Sequence, residues 1–108
     1  MFNILDFGLA SSDEICQTLG HRLKGVRLTR GWTQAELARR AGVSRGTIVT
    51  LEGHGQTTLA SLVRVVQVLG LENELQSLFV QPPPRSIAEL ERRAAPRQRA
   101  PRQRPPRP

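Results

Sequence analysis

The chain has little with which to build either a stapled or an aromatic core. Among 108 residues there is one cysteine, Cys16, one Trp, three Phe and no Tyr. A single cysteine excludes an internal disulfide framework and suits a reducing compartment. With so few aromatics, the core must be mainly aliphatic. No apolar run approaches the roughly 18 residues of a membrane helix, and the opening "MFNILDFGLASSDE" has no basic n-region. Neither a membrane span nor a signal peptide is read, and a soluble, cytoplasmic protein is expected. This length supports one domain with at most a tail, and so small a core makes oligomerisation a reasonable expectation.

The net charge of +7 is unevenly placed. Residues 1–20 carry three acids and no Lys or Arg, whereas 21–42 carry six bases against Glu36. Residues 43–81 are slightly acidic, and residues 82–108 hold eight Arg against Glu89 and Glu91. The basic balance therefore belongs to the tail and says little about the folded part. All eight prolines also follow Gln81. The expected organisation is an N-terminal arm at 1–11, a helical domain at 12–81, and a Pro/Arg-rich tail at 82–108 with a short helix at 86–94.

Before that boundary the pattern is a succession of short helices. Ser11 and Glu14 have capping-box spacing ahead of Ile15, Leu19, Leu23 and Val26, a helix that should end near Gly31. Thr33 and Glu36 form a second box, opening a short helix with Leu37, Ala38 and Ala41 that Gly42 ends. Ser44 caps a third, and Thr57 or Thr58 a fourth, whose core spacing is Leu59, Leu62, Val63, Val66 and Leu69. Val65 and Val68 make that helix more apolar than one buried stripe requires. Either a fifth helix, "LENELQSLF", covers both sides, or a two-fold dimer contact does. In the tail, Ser86 and Glu89 repeat the capping-box spacing, and "APRQR" at 95–99 recurs at 100–104. Such a Pro/Arg segment cannot bury a core and is expected to be disordered or polyproline-like when free.

The stretch "GVSRGTIVTLEG" is poor helix material, rich in Gly, Ser, Thr, Val and Ile. Yet Ile48 and Leu51 fall on one helical face, and Ala38 and Gly42 sit where two short helices must cross and turn. A Gly-containing turn between two helices is what a helix-turn-helix needs. The run "TQAELARRAGVSRGTIVTLEG", with the preceding "RLKGVRLTRGWTQ", resembles the helix-turn-helix of Cro/CI-type (XRE) DNA-binding regulators from about Arg22 to Leu78. The order of elements, with the proline-led "SIAELERR" and basic end, is similar to HipB-like antitoxins.

The resemblance implies an all-α, compact five-helix, lambda-repressor-like domain. It also implies a homodimer binding double-stranded DNA at a pseudopalindromic operator, with a HipA-like kinase toxin as partner and no membrane association. In such a motif the third helix lies in the major groove. The residues it would present to base edges are Ser44, Arg45, Gly46, Val49 and Thr50, and small side chains there let the helix approach DNA. Arg45 suits paired hydrogen bonds to guanine; the alternative is a solvated or phosphate-bound Arg. Backbone contacts are implied for Thr33, Gln34, Thr47, Gln56, Thr57 and Thr58, and a structural pair for Arg27 and Glu52. Gly46 departs from relatives that carry a long polar side chain.

Other chemistries are poorly supplied. Cys16 and His21 are not on one helical face, and His54 is read as a lone loop residue, so no metal site is expected. Asp6 and Asp13 lie near the N-terminus without a His-containing constellation, and no Gly-rich phosphate loop precedes a Lys-Ser or Lys-Thr pair. Neither an enzyme nor a cofactor is expected. The competing readings are a phage- or plasmid-type repressor without a toxin, and an interaction or RNA-binding protein acting through its basic tail.

Overall fold

The computed structural model describes residues 4–95, which form six helices and no strand among the described residues. The APRQR repeat falls almost wholly outside them. One compact unit closes at Leu78 and a second begins at Phe79. At the start of the second unit, Phe79 is 97% exposed and takes a left-handed φ of 59°.

In the first unit, α1 (Ser12–Thr29) starts on a complete capping box: Glu14 N–H donates to Ser11 Oγ at 3.1 Å, and Ser11 N–H to Glu14 Oε1 at 2.8 Å. Its buried positions are Gly20, Leu23 and Arg27, whereas Leu19 remains 42% exposed. The inward face is thus set by a glycine and an arginine that aliphatic spacing could not select. A Cβ on Gly20 would run into the carbonyl oxygen of Leu51, and one on Gly55 into that of Cys16. These two glycines allow α1 and α3 to approach through their backbones.

α2 (Gln34–Ala41) and α3 (Arg45–His54) follow, with α4 (Leu59–Val68) and α5 (Glu72–Gln76) closing the unit. Thr33 caps α2 by accepting from Glu36 N–H at 3.0 Å. Only this half of the expected box forms, because the Glu36 carboxylate is drawn to Arg39 and Arg40 at 3.2 and 3.4 Å. Leu37, Ile48, Val65 and Leu69 are fully buried, joined by Leu23, Ala38, Ala41, Leu51 and Val66. Burying one such Leu, Ile or Val contributes about 1.5–3 kcal/mol. Two expected details of α4 change. Leu59, its first residue, is 75% exposed, lying beyond the packed region, and Val65 takes a central place instead. α4 meets both α2 and α5 within one chain, so Val65 needs no second copy to cover it.

An apolar groove of about 300 Å³ runs between α1, α4 and α5, lined among others by Leu19, Leu62, Val66, Leu75 and Leu78, with Arg22 and Glu74 also in its walls. In the second unit, α6 (Ile87–Ala94) is capped by Ser86, which accepts from Glu89 N–H at 3.1 Å. The Glu89 carboxylate takes Arg85 N–H and the Arg93 guanidinium rather than closing a box on Ser86.

Candidate nucleic-acid interface

The turn between α2 and α3 is built by Gly42, whose φ of 71° lets its N–H and that of Val43 return to the end of α2. An L residue at such an angle loses about 1–2 kcal/mol. Ala38, 3% exposed, lets the two helices meet closely beneath that turn. Ser44 then starts α3 in extended conformation. Its Oγ accepts from Thr47 N–H at 3.0 Å and lies 2.8 Å from Thr47 Oγ1. This capping explains how a segment with poor intrinsic propensity stays helical: the first turn is tied and one face is buried through Ile48 and Leu51. His54, expected in a loop, is the last residue of α3, and Gly55 ends the helix at φ 68°.

The opposite face of α3 is open. Arg45 and Gly46 are exposed, Val49 is 46% exposed, and Thr50 is half-buried with its hydroxyl donating to Gly46 O at 3.0 Å. Arg45 joins none of the four ion pairs among the described residues. Among the described residues, and beyond the adjoining helix backbone, a Cβ on Gly46 would meet nothing closer than Ser44 Oγ at 3.8 Å. That glycine answers no packing demand of the free domain.

An open notch of about 460 Å³ lies beside this face, lined by Ser44, Gly46, Thr47, Thr50, Gln56, Thr57, Thr58 and Ser61. It gathers the start of α3, the α3–α4 loop and the first turn of α4, which Thr58 caps by accepting from Ser61 N–H at 3.1 Å. The lining is hydroxyls, one carboxamide and backbone, with no acid among the side chains, and exposed N–H groups at helix starts attract anions. Arg45 and Val49 stand outside the notch, and Thr33 and Gln34 lie at the start of α2.

Behind the open face is a buried ion pair. Arg27 Nε meets Glu52 Oε2 at 2.7 Å, Nη2 meets Oε1 at 3.0 Å, and Nη1 donates to the Trp32 carbonyl at 2.6 Å. The two side chains are 7% and 3% exposed. The paired geometry ties α1 to α3 and to the loop before α2, with each charge compensated where water cannot reach it. Gln34 Nε2 also donates to Glu52 Oε1 at 3.1 Å. Arg40 stacks over Trp32 at 4.4 Å from the ring centre, adding support outside the pair.

Sequence reasoning missed the backbone approach at Gly20 and the Gln34–Glu52 bond. A glycine inside an otherwise periodic helix is a signal for the first. The second joins residues from separate helices and leaves no trace in spacing. Among the described residues, no three His, Cys, Asp or Glu side chains are grouped to hold a metal, and no helix is long and apolar enough to cross a membrane.

The helix-turn-helix domain family matches residues 18–78, from within α1 through α5. Over 58 residues, 53% of this chain, the sequence is 38% identical to antitoxin HipB of Escherichia coli strain K12. It is 36% identical over 58 residues, again 53% of this chain, to antitoxin HipB of Escherichia coli O6:H1. These matches span 66% and 62% of the two relatives' own lengths.

Proposed function

The chain belongs to the helix-turn-helix domain family, in an XRE-type form related to HipB, and from this premise we propose that it is a sequence-specific DNA-binding repressor. The observation that carries the reading is the open face of α3: Arg45, Gly46 and Val49 exposed on a capped helix whose other face is locked into the core. A helix so held can enter a major groove as a rigid body.

In this reading Arg45 makes the principal base contact. Its guanidinium can bond O6 and N7 of one guanine, which is worth about 1–3 kcal/mol of discrimination. Gly46 and Val49 keep the helix axis close to the bases, and Val49 or Thr50 can meet a thymine methyl. Ser44 also faces DNA, although its hydroxyl is engaged in capping. Gln34, with Thr33 at the start of α2, anchors one stretch of backbone. Thr47, Gln56, Thr57 and Thr58 receive the neighbouring phosphates in the notch. The Arg-rich tail adds phosphate contacts that carry no sequence information.

Two copies bound to a pseudopalindrome would place their α3 helices about one helical turn, or about 34 Å, apart. The second copy is assigned to the groove between α1, α4 and α5, where Arg22 and Glu74 supply opposite charges that a two-fold axis can bring together. The likeness to antitoxin HipB further supports a role as the antitoxin and autorepressor of a HipBA-type operon, paired with a HipA-like kinase toxin.

The test is competition binding of the full chain and a 1–81 truncation to DNA upstream of the protein's own reading frame, against scrambled DNA. A preference that survives truncation supports the repressor reading. Loss of all binding on truncation, with scrambled DNA competing equally, overturns it and assigns the activity to the tail. Co-purification with a kinase encoded beside the gene tests the antitoxin role; if such a kinase is encoded there and fails to bind, the domain acts as a repressor alone.

A further inference from the structure

The Glu52 carboxylate accepts three hydrogen bonds, and they differ in where they lead. Two come from Arg27 and fasten α1 to α3. The third comes from Nε2 of Gln34, the first residue of α2, and shares Oε1 with Arg27 Nη2. Gln34 is half-buried, so its carboxamide lies between the buried pair and the surface.

A carboxylate can only accept, so Glu52 fixes which end of the Gln34 amide turns inward: the nitrogen. That nitrogen carries two hydrogens in the plane of the amide. One goes to Oε1 at 3.1 Å, and the other has no partner among the described residues. An unrestrained glutamine can turn either its oxygen or its nitrogen toward an approaching anion, and only the nitrogen can bond a phosphate oxygen. Arg27 in turn holds Glu52 through two contacts, and the Trp32 carbonyl holds Arg27. The chain of bonds therefore runs from the Trp32 carbonyl, through α1 and α3, to one donor at the edge of the proposed DNA face.

We propose that Glu52 is a positioning residue for phosphate binding: held by Arg27, it presets the Gln34 carboxamide so that its free N–H meets the DNA backbone without reorganisation. The proposal rests on the DNA-binding reading above. It gives the buried pair a role that stability alone does not require, since such pairs are often replaceable by apolar packing. It also links the grip on the backbone to the register of α3, because both depend on one carboxylate.

The experiment has two arms. In the first, side-chain amide NMR of the free wild-type protein compares Gln34 with the exposed Gln67. A rigid Gln34 amide, with its bonded proton shifted away from the position seen for Gln67, is expected; an amide as mobile as that of Gln67 overturns the proposal. In the second arm, Glu52→Asp, which keeps the charge on Arg27 but shortens the reach, is combined with Gln34→Ala. Each single change should weaken binding to the upstream DNA by about three- to tenfold, the range of one hydrogen bond. The double variant should lose no more than either. In Glu52→Asp the Gln34 amide should also become mobile, with far-ultraviolet dichroism unchanged.

Additive losses in the double variant overturn the positioning role while leaving DNA binding intact. If Glu52→Asp does not fold, the wild-type amide measurement decides. If the wild-type protein shows no preference for its upstream DNA, the DNA-binding reading fails and the positioning role falls with it.

Discussion

Two glycines of α1, close together in sequence, should respond to the same substitution with opposite signs. A Cβ at Gly20 would collide with the carbonyl oxygen of Leu51 and lie 3.3 Å from Gly55 Cα. That carbonyl cannot easily swing away, because it accepts Gly55 N–H at 2.9 Å and closes the end of α3. Carbon–oxygen contacts settle at about 3.3–3.6 Å, so α1 must retreat from α3 by about 1 Å. Overpacking of this kind costs about 1–3 kcal/mol, and backbone on both sides places Gly20→Ala near the upper end. Alanine returns about 1 kcal/mol of helix propensity, leaving a net loss of about 2 kcal/mol. At Gly25 nothing among the described residues, beyond the adjoining helix backbone, lies within 4 Å of the added atom. Only the propensity gain remains there, and Gly25→Ala should stabilise by about 0.5–1 kcal/mol. Urea unfolding monitored by dichroism measures both, with the midpoint moving down for Gly20→Ala, up for Gly25→Ala, and the slope unchanged. Equal stabilisation by both variants would refute the close approach of α1 to α3.

The Arg27–Glu52 pair should show the asymmetry of buried charges: Arg27→Ala or Glu52→Ala alone costs about 3–5 kcal/mol, whereas Arg27→Met with Glu52→Leu costs clearly less than the two single losses together. Thermal and urea melts check this, and single losses below about 1 kcal/mol would contradict the buried geometry. Ser44→Ala removes the α3 cap and should lower stability by about 1 kcal/mol in the same melts. Gly46→Ala separates stability from function. It should stabilise the free protein by about 0.8–1 kcal/mol and yet weaken binding to the upstream DNA, because the added methyl lies on the face proposed to touch bases; tighter binding would count against that approach.

Much of the fold was legible because it is written in local signals. Ser11, Thr33, Ser44 and Thr58 each stand ahead of a helix and cap it, and Gly42 takes the left-handed turn its position between α2 and α3 suggests. Leu37, Ile48, Leu51 and Leu69 follow the helical period into the core. The signals gave out where one element's environment depends on another. Leu59 has the right spacing but sits at a helix start beyond the packed region, while Val65 is buried because α2 and α5 flank α4. Glu36 has capping-box spacing but finds Arg39 and Arg40 nearby. The same divide holds at the candidate site. The open face of α3 can be traced from residue types and the position of the turn. The notch beside α4 and the shared carboxylate at Glu52 require three-dimensional placement, because each gathers residues from separate helices or the loop between them.

If α3 reads sequence while the tail supplies charge, as proposed, a salt titration of Arg45→Ala against Arg97→Ala in the full chain separates the two contributions. Binding to the upstream DNA and to scrambled DNA is measured for both variants. Arg45→Ala is expected to erode the preference between the two DNAs, by about 1–3 kcal/mol if the guanine contact is made. Arg97→Ala should weaken both equally and flatten the salt dependence by about one phosphate contact. An unchanged preference in Arg45→Ala, or a preference lost only in Arg97→Ala, would contradict it.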